Sequence, residues 1–372
     1  MERKQREKET RVGLALEAGG ALGAYEVGVV KALYKHYPHF QSNLSVVSGA
    51  SSGAVNATVL VGAKGHPVHA LEQLWLEHFA VKIPLVPEFL QPLLLPLTGV
   101  PGMGHVRTSF LVNPFMAPSM FDNARVRQTL AELANEDRIN SSPITLIVTA
   151  TDVETGQLTR FQNKLAVPFT FEMTVASGSI APAFPTTTAT EQTSGKEGRY
   201  WDGGFIASLP LSPVINALEE CDADDDDVER VAIAVRVNPQ RSRLPRNMLE
   251  IMDRVFDLLT FSKMELDRKM FEKTDARIKL FKLLDQHLTE EDRRTILGDK
   301  ILGEAYKEMK SHRPIRCIVI ETTRPELFGA PNFSKSAIKD RIECGYEDTY
   351  NTLGRIEWEY EDTYSKLVEQ LR

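Results

Sequence analysis

The sequence predicts a layered α/β domain, and three observations carry that expectation. The chain opens with a βαβ pattern, β-branched apolar runs recur between helical stretches, and 372 residues with 42% apolar content suffice for a full core. VGLALEA at 12–18 reads as a buried strand, AYEVGVVKALYKHY at 24–37 as an amphipathic helix, LSVVSG at 44–49 as a second strand and SGAVNATVLVG at 52–62 as a second helix. Such short turns suit a parallel sheet. ITLIVTATDV at 144–153 is the third strand, and RVAIAVRV at 230–237 and RCIVIETT at 316–323 are two more, each a β-branched run bounded by polar residues. DNARVRQTLAELANEDR at 122–138 predicts one helix, with Asp122 or Asn123 in the capping position.

The segment from Ile83 to Val106 stands apart. It is apolar, Glu88 is its sole carboxylate, and prolines at 84, 87, 92, 96 and 101 interrupt any continuous helix, so a membrane span is rejected. Two readings stay open: a buried loop over the core, or a hydrophobic lid or lipid-facing wall. Further on, CDADDDDVER at 221–230 is a solvated acidic loop. NMLEIMDRVFDLLTFSKMELDRKMFEK at 247–273 is a long amphipathic helix whose stripe serves either the core or a partner surface.

A net charge of −7 argues against nucleic acid as the main partner and against electrostatic docking on anionic lipid. Cys221, Cys317 and Cys344 are far apart and lack metal-ligand spacing, so neither a disulfide framework nor a zinc site is expected. The charged tail MERKQREKET at 1–10 has no signal-peptide character. The expected location is the cytoplasm, with peripheral membrane contact left open.

Two glycine-rich turns follow strands. In GASSG, Gly49, Ser51 and Gly53 meet the pattern G-x-S-x-G between a strand and a helix, the setting in which a tight turn pushes a serine out of the sheet. A plain turn is the alternative. In the first turn, the N–H groups of Gly19, Gly20 and Ala21 open a helix and form an anion site suited to an oxyanion. A dinucleotide fingerprint fits poorly, since G-x-G-x-x-G needs a glycine where Ala18 stands.

A serine nucleophile needs a base. Among eight histidines only His312, before a strand, is a candidate. GRYWDGGFIASLP at 198–210 offers Asp202 instead, after the aromatic pair Tyr200 and Trp201. An ordinary aspartate is weaker than histidine by about 2.6 pKa units, roughly 3.5 kcal/mol, and burial can restore much of that.

EAGGALGAYEVGV, GASSG and WDGG, in this order and spacing, resemble the patatin-like phospholipase family, as do TATDVETGQLTRF, ASGSIAPAFPT and FSKSAIKDRIECGYEDT. The resemblance covers 12–215 and, weakly, 333–348. It implies a three-layer α/β/α fold with a mainly parallel sheet and additional C-terminal helices. It also implies a lipid acyl hydrolase of phospholipase A or lysophospholipase type, with Ser51 as nucleophile, Asp202 as its base, the Gly19–Gly20 loop as oxyanion site, and no metal or cofactor. The expected division is a tail at 1–10, a catalytic domain at 11–215 containing the lid-like 83–106, and 216–372 completing the same domain. Two departures stand out: Ala18 where a glycine is usual, and Leu22 where an arginine or lysine is usual. They keep open a catalytically weak lipid-binding or regulatory protein, beside a neutral-lipid lipase or general carboxylesterase of the same fold.

Overall fold

The computed structural model describes residues 9–37, 40–87, 91–221, 228–238, 244–246, 248–324 and 332–370. Most of the charged tail, Glu88 and the aspartate run at 222–227 lie outside them. One sheet gathers β1 (Thr10–Leu16), β2 (Leu44–Gly49), β3 (Thr145–Asp152), β4 (Leu158–Gln162), β5 (Thr187–Thr190), β6 (Glu197–Asp202), β7 (Glu229–Arg236) and β8 (Arg316–Glu321). The path is β5-β6-β3-β2-β1-β7-β8, with β4 also paired to β3. The pairs β3–β2, β2–β1, β1–β7 and β7–β8 are parallel, so the sheet is mainly parallel, as the sequence predicts.

Strand alternation places the layers. Leu14 and Leu16 of β1 and Val231, Ile233 and Val235 of β7 join one core cluster, shared with helices Ala24–His36, Ser52–Gly62 and Lys335–Gln370. Their neighbours Ala15, Ala232 and Ala234 face the other side, against Leu211, Val214 and Leu218 of helix Leu211–Glu220. The result is a three-layer α/β/α fold. Both clusters draw on β7 from beyond residue 216, and β8 extends the same sheet.

Register decides what lies beside the end of β2. Ile147 and Val148 pair with β2 and with β4, which therefore occupy opposite edges of β3. Ala150 and Thr151 pair with β4 and with β6, so β6 takes the same edge as β2. Since Gly49 pairs with Val148 and Asp202 with Ala150, β6 ends where β2 stops, two residues along β3 or about 7 Å.

Two helical expectations change. The stretch 122–138 forms two helices, Ala124–Leu133 and Glu136–Ser141, because Ala134 and Asn135 are extended. Ala134 bridges Ala63, the Asn135 N–H donates to Gly62 O at 2.9 Å, and the Asn135 side chain caps the second helix. The long helix runs from Met248 to Asp285, further than expected, and Met248, Ile251, Val255, Leu258, Leu280, Leu283 and Leu284 are exposed rather than core. Among the described residues no helix is long and apolar enough to cross a membrane. Within 83–106 the chain forms a helix, Gln91–Thr98, with Leu95 and Val100 buried and Leu85 and Leu97 exposed.

Candidate active site

The second glycine turn holds Ser51 at φ 53°, one of two non-glycine residues with positive φ among those described. Tight backbone approach explains its neighbours: a Cβ on Gly49 would lie 2.3 Å from Gly53 O, and one on Gly53 2.5 Å from Leu16 O. The Ser51 N–H donates to Ser177 Oγ at 3.0 Å, and the Ser51 carbonyl accepts from the N–H groups of Ala54 and Val55. The serine thus caps helix Ser52–Gly62, whose positive end faces the site.

The first turn is tied back through its carbonyls. Asn238 Nδ2 donates to Ala18 O at 2.7 Å, Arg341 Nη1 to Ala21 O at 3.2 Å, and Asn56 Nδ2 to Gly23 O at 2.9 Å. The Gly19 N–H donates to Ser52 Oγ at 3.1 Å, so it is committed to the serine beside Ser51. The N–H groups of Gly20 and Ala21 meet no acceptor among the described residues. Gly20, at φ 54°, borders the same pocket as Ser51.

Asp202 ends β6 and is 1% exposed. Its Oδ1 accepts the Gly204 N–H at 2.7 Å, whereas Oδ2 is buried without a hydrogen-bond partner among the described residues. Burial lifts the carboxyl to about 7, against the lowering influence of the nearby Ser51 hydroxyl and the Gly204 N–H. The register of β2 and β6 sets the two residues side by side, and no hydrogen bond joins the Ser51 hydroxyl to Asp202 Oδ2 among the described residues. Catalytic contacts are often long without substrate. A Cβ on Gly203 would strike Thr149 O at 2.2 Å, and one on Gly204 would approach Ala18 Cβ at 2.9 Å, which brings Asp202's own turn against the first glycine turn.

His312 is not part of this cluster. It precedes β8 at the N-terminal edge of the parallel strands, while Ser51 follows the C-terminal end of β2, and its Nδ1 pairs with Glu219 at 2.9 Å. Two other buried carboxyls lie behind the first turn, both raised by burial. Glu17 accepts from the Val237 and Asn238 N–H groups at 2.6 and 3.0 Å, and Glu26 accepts from Asn56 Nδ2 at 2.7 Å. Among the described residues no group of three or more His, Cys, Asp or Glu is arranged to hold a metal.

Ser51 opens on a cavity of about 250 Å³ walled by apolar side chains, among them Phe79, Leu95, Phe121, Phe184 and Phe333. Val100 and Met103, from the proline-broken segment, line it too. Sequence reasoning assigned no role to Ser52, Asn56, Ser177, Asn238 or Arg341. Arg341 lies in FSKSAIKDRIECGYEDT, and that motif was the one signal pointing to it.

A family model described as patatin-like phospholipase matches residues 14–215. Patatin-like phospholipase domain-containing protein 2 of Rattus norvegicus is 39% identical, and that of Bos taurus 41% identical, over 54 residues. Each alignment covers 14% of this chain and 11% of the relative, so the matched stretch spans about a tenth of those proteins. Among solved structures, VipD from Legionella pneumophila aligns over 95% of this chain and 72% of its own, with 16% identity and a TM-score of 0.39. The family match takes in more than half of the 372 residues, running through both glycine turns and Asp202, and the chain belongs to the patatin-like phospholipase family.

Proposed function

We propose that this protein is a serine hydrolase that cleaves carboxylic esters of lipids through an acyl-enzyme on Ser51. The observation that carries the reading is a buried carboxyl, Asp202, raised to about 7, beside a serine held at positive φ on an apolar cavity. Asp202 Oδ2 takes the Ser51 hydroxyl proton as Ser51 Oγ bonds to the ester carbonyl carbon. The developing oxyanion is met by the Gly20 and Ala21 N–H groups and the positive end of helix Ser52–Gly62, each donor worth about 3 to 4 kcal/mol. As the C–O bond breaks, the leaving alkoxide takes the proton from Asp202. Water then attacks the acyl carbon, Asp202 accepts its proton, and Ser51 is released with that proton as the carboxylic acid departs. Gly19 acts through Ser52, by fixing the loop, rather than as an oxyanion donor.

This chemistry uses no metal, so hydrolysis of a soluble monomeric ester persists in excess chelator. The substrate is an aliphatic acyl lipid, phospholipid or neutral, whose chain occupies the cavity. Turnover of nitrophenyl butyrate tests the reading: wild type hydrolyses it, and Ser51→Ala lowers the rate by roughly three orders of magnitude or more. Equal rates for the two proteins would leave a lipid-binding protein, the reading that Ala18 and Leu22 raise.

A further inference from the structure

Residues 108–119, TSFLVNPFMAPS, contain no charged side chain. They leave and rejoin the body of the protein at one place. The Arg107 N–H donates to Met120 O at 2.9 Å, and Val106 bridges Phe121. The Met120 and Phe121 N–H groups then donate to Pro182 O and Ala183 O at 3.1 and 2.8 Å. Phe121, Ala183 and Phe184 line the cavity that Ser51 opens on, so this excursion grows directly from the cavity wall. Its tip points its apolar side chains outward: Leu111 is 56% exposed, Val112 80%, Phe115 97% and Met116 81%. Nothing in its packing requires these residues to be apolar.

We propose that 108–119 is a membrane-docking excursion that inserts Leu111, Val112, Phe115 and Met116 into a zwitterionic lipid surface, beside the wall of the cavity that Ser51 opens on. Three observations favour that occupant. The excursion grows from the wall of the cavity, and an acyl chain bound for that cavity comes from a lipid aggregate. The excursion itself is uncharged, and Arg107 at its base donates from Nε to Phe121 O at 3.2 Å. The whole chain carries a net charge of −7, which disfavours anionic lipid. Binding therefore depends on buried apolar area and not on lipid charge. The inference rests on the acyl-hydrolase reading of the cavity, and the experiment separates the two.

The full chain is mixed with phosphatidylcholine vesicles, bound protein is measured by flotation, and turnover of nitrophenyl butyrate is followed in parallel. Wild type and Ser51→Ala float alike. The variant Leu111→Ser/Phe115→Ser/Met116→Ser loses roughly tenfold or more in vesicle partitioning, while its soluble-ester rate stays within about twofold. Phe115→Trp keeps an apolar ring and serves where the triple variant does not fold. Its emission, read as a difference from the three native tryptophans, shifts to the blue on vesicle addition. The proposal is overturned by wild type that ignores phosphatidylcholine or floats only with anionic vesicles, by a folded triple variant that floats like wild type, or by a Phe115→Trp variant whose difference emission does not shift. It is equally overturned if the triple substitution abolishes a self-association of wild type and leaves flotation unchanged, because the patch then joins two copies. Wild type that floats through these residues but never cleaves the ester removes the hydrolase reading and leaves the docking result standing.

Discussion

In the turn around Ser51, a Cβ on Gly49 or Gly53 would lie 2.3 or 2.5 Å from a backbone oxygen, while at Gly20 no heavy atom lies within 4 Å of one. Gly20 instead has φ 54°, and in the other turn it is the serine, not a glycine, that has positive φ. Gly20 of the first turn is needed for conformation, whereas Gly49 and Gly53 of the second are needed for space. Strain is then concentrated on the one residue whose side chain must leave the sheet, a distribution common at functional sites. Two stretches alike in composition should therefore fail differently when mutated.

Asp202, whose turn packs against the first glycine turn, gives the largest expected effect. Its folded pKa of about 7 exceeds the ordinary value near 3.9, so between these values the folded state binds the extra proton. That stability is fully present below about pH 3.9 and is lost as pH rises through about 7. Asp202→Asn is accordingly more stable than wild type at pH 8, by on the order of 4 kcal/mol, and gains little at pH 4. Urea unfolding at the two pH values checks this, and an equal gain at both would refute it. Gly53→Ala comes next, with a loss of about 3 kcal/mol from the backbone clash, visible as a lower urea midpoint. Gly20→Ala is the mildest, costing about 1 kcal/mol for the left-handed backbone, with soluble-ester turnover falling more than stability. If Gly20→Ala unfolds the protein and Gly53→Ala does not, the comparison is reversed.

Much of this arrangement was legible in the chain because it is local. Strand, turn and helix around Ser51 follow one another within twenty residues, and β1, β2, β3, β7 and β8 are apolar runs that announce themselves. β4, β5 and β6 were not, since LTRFQ, TTAT and EGRYWD are short and polar and become strands by pairing with β3 or with each other. The ties that hold the first turn were also hidden. Asn238 and Arg341 reach Ala18 and Ala21 across 220 and 320 residues. The buried guanidinium of Arg341 arrives beside Leu22 from a distant helix, and its motif gave no sign of which loop it would reach. The split of 122–138 had the same cause, a bridge between Ala134 and Ala63.

The central claim, that Asp202 activates Ser51, is tested most directly by the rate at which a soluble fluorophosphonate labels the protein, with the labelled residue located by peptide mass mapping. The account predicts one modification, on Ser51, at a rate that rises with pH and levels off above about 7, and that falls roughly a hundredfold or more in Asp202→Asn. Labelling of a residue other than Ser51, or an undiminished rate in Asp202→Asn, would contradict it.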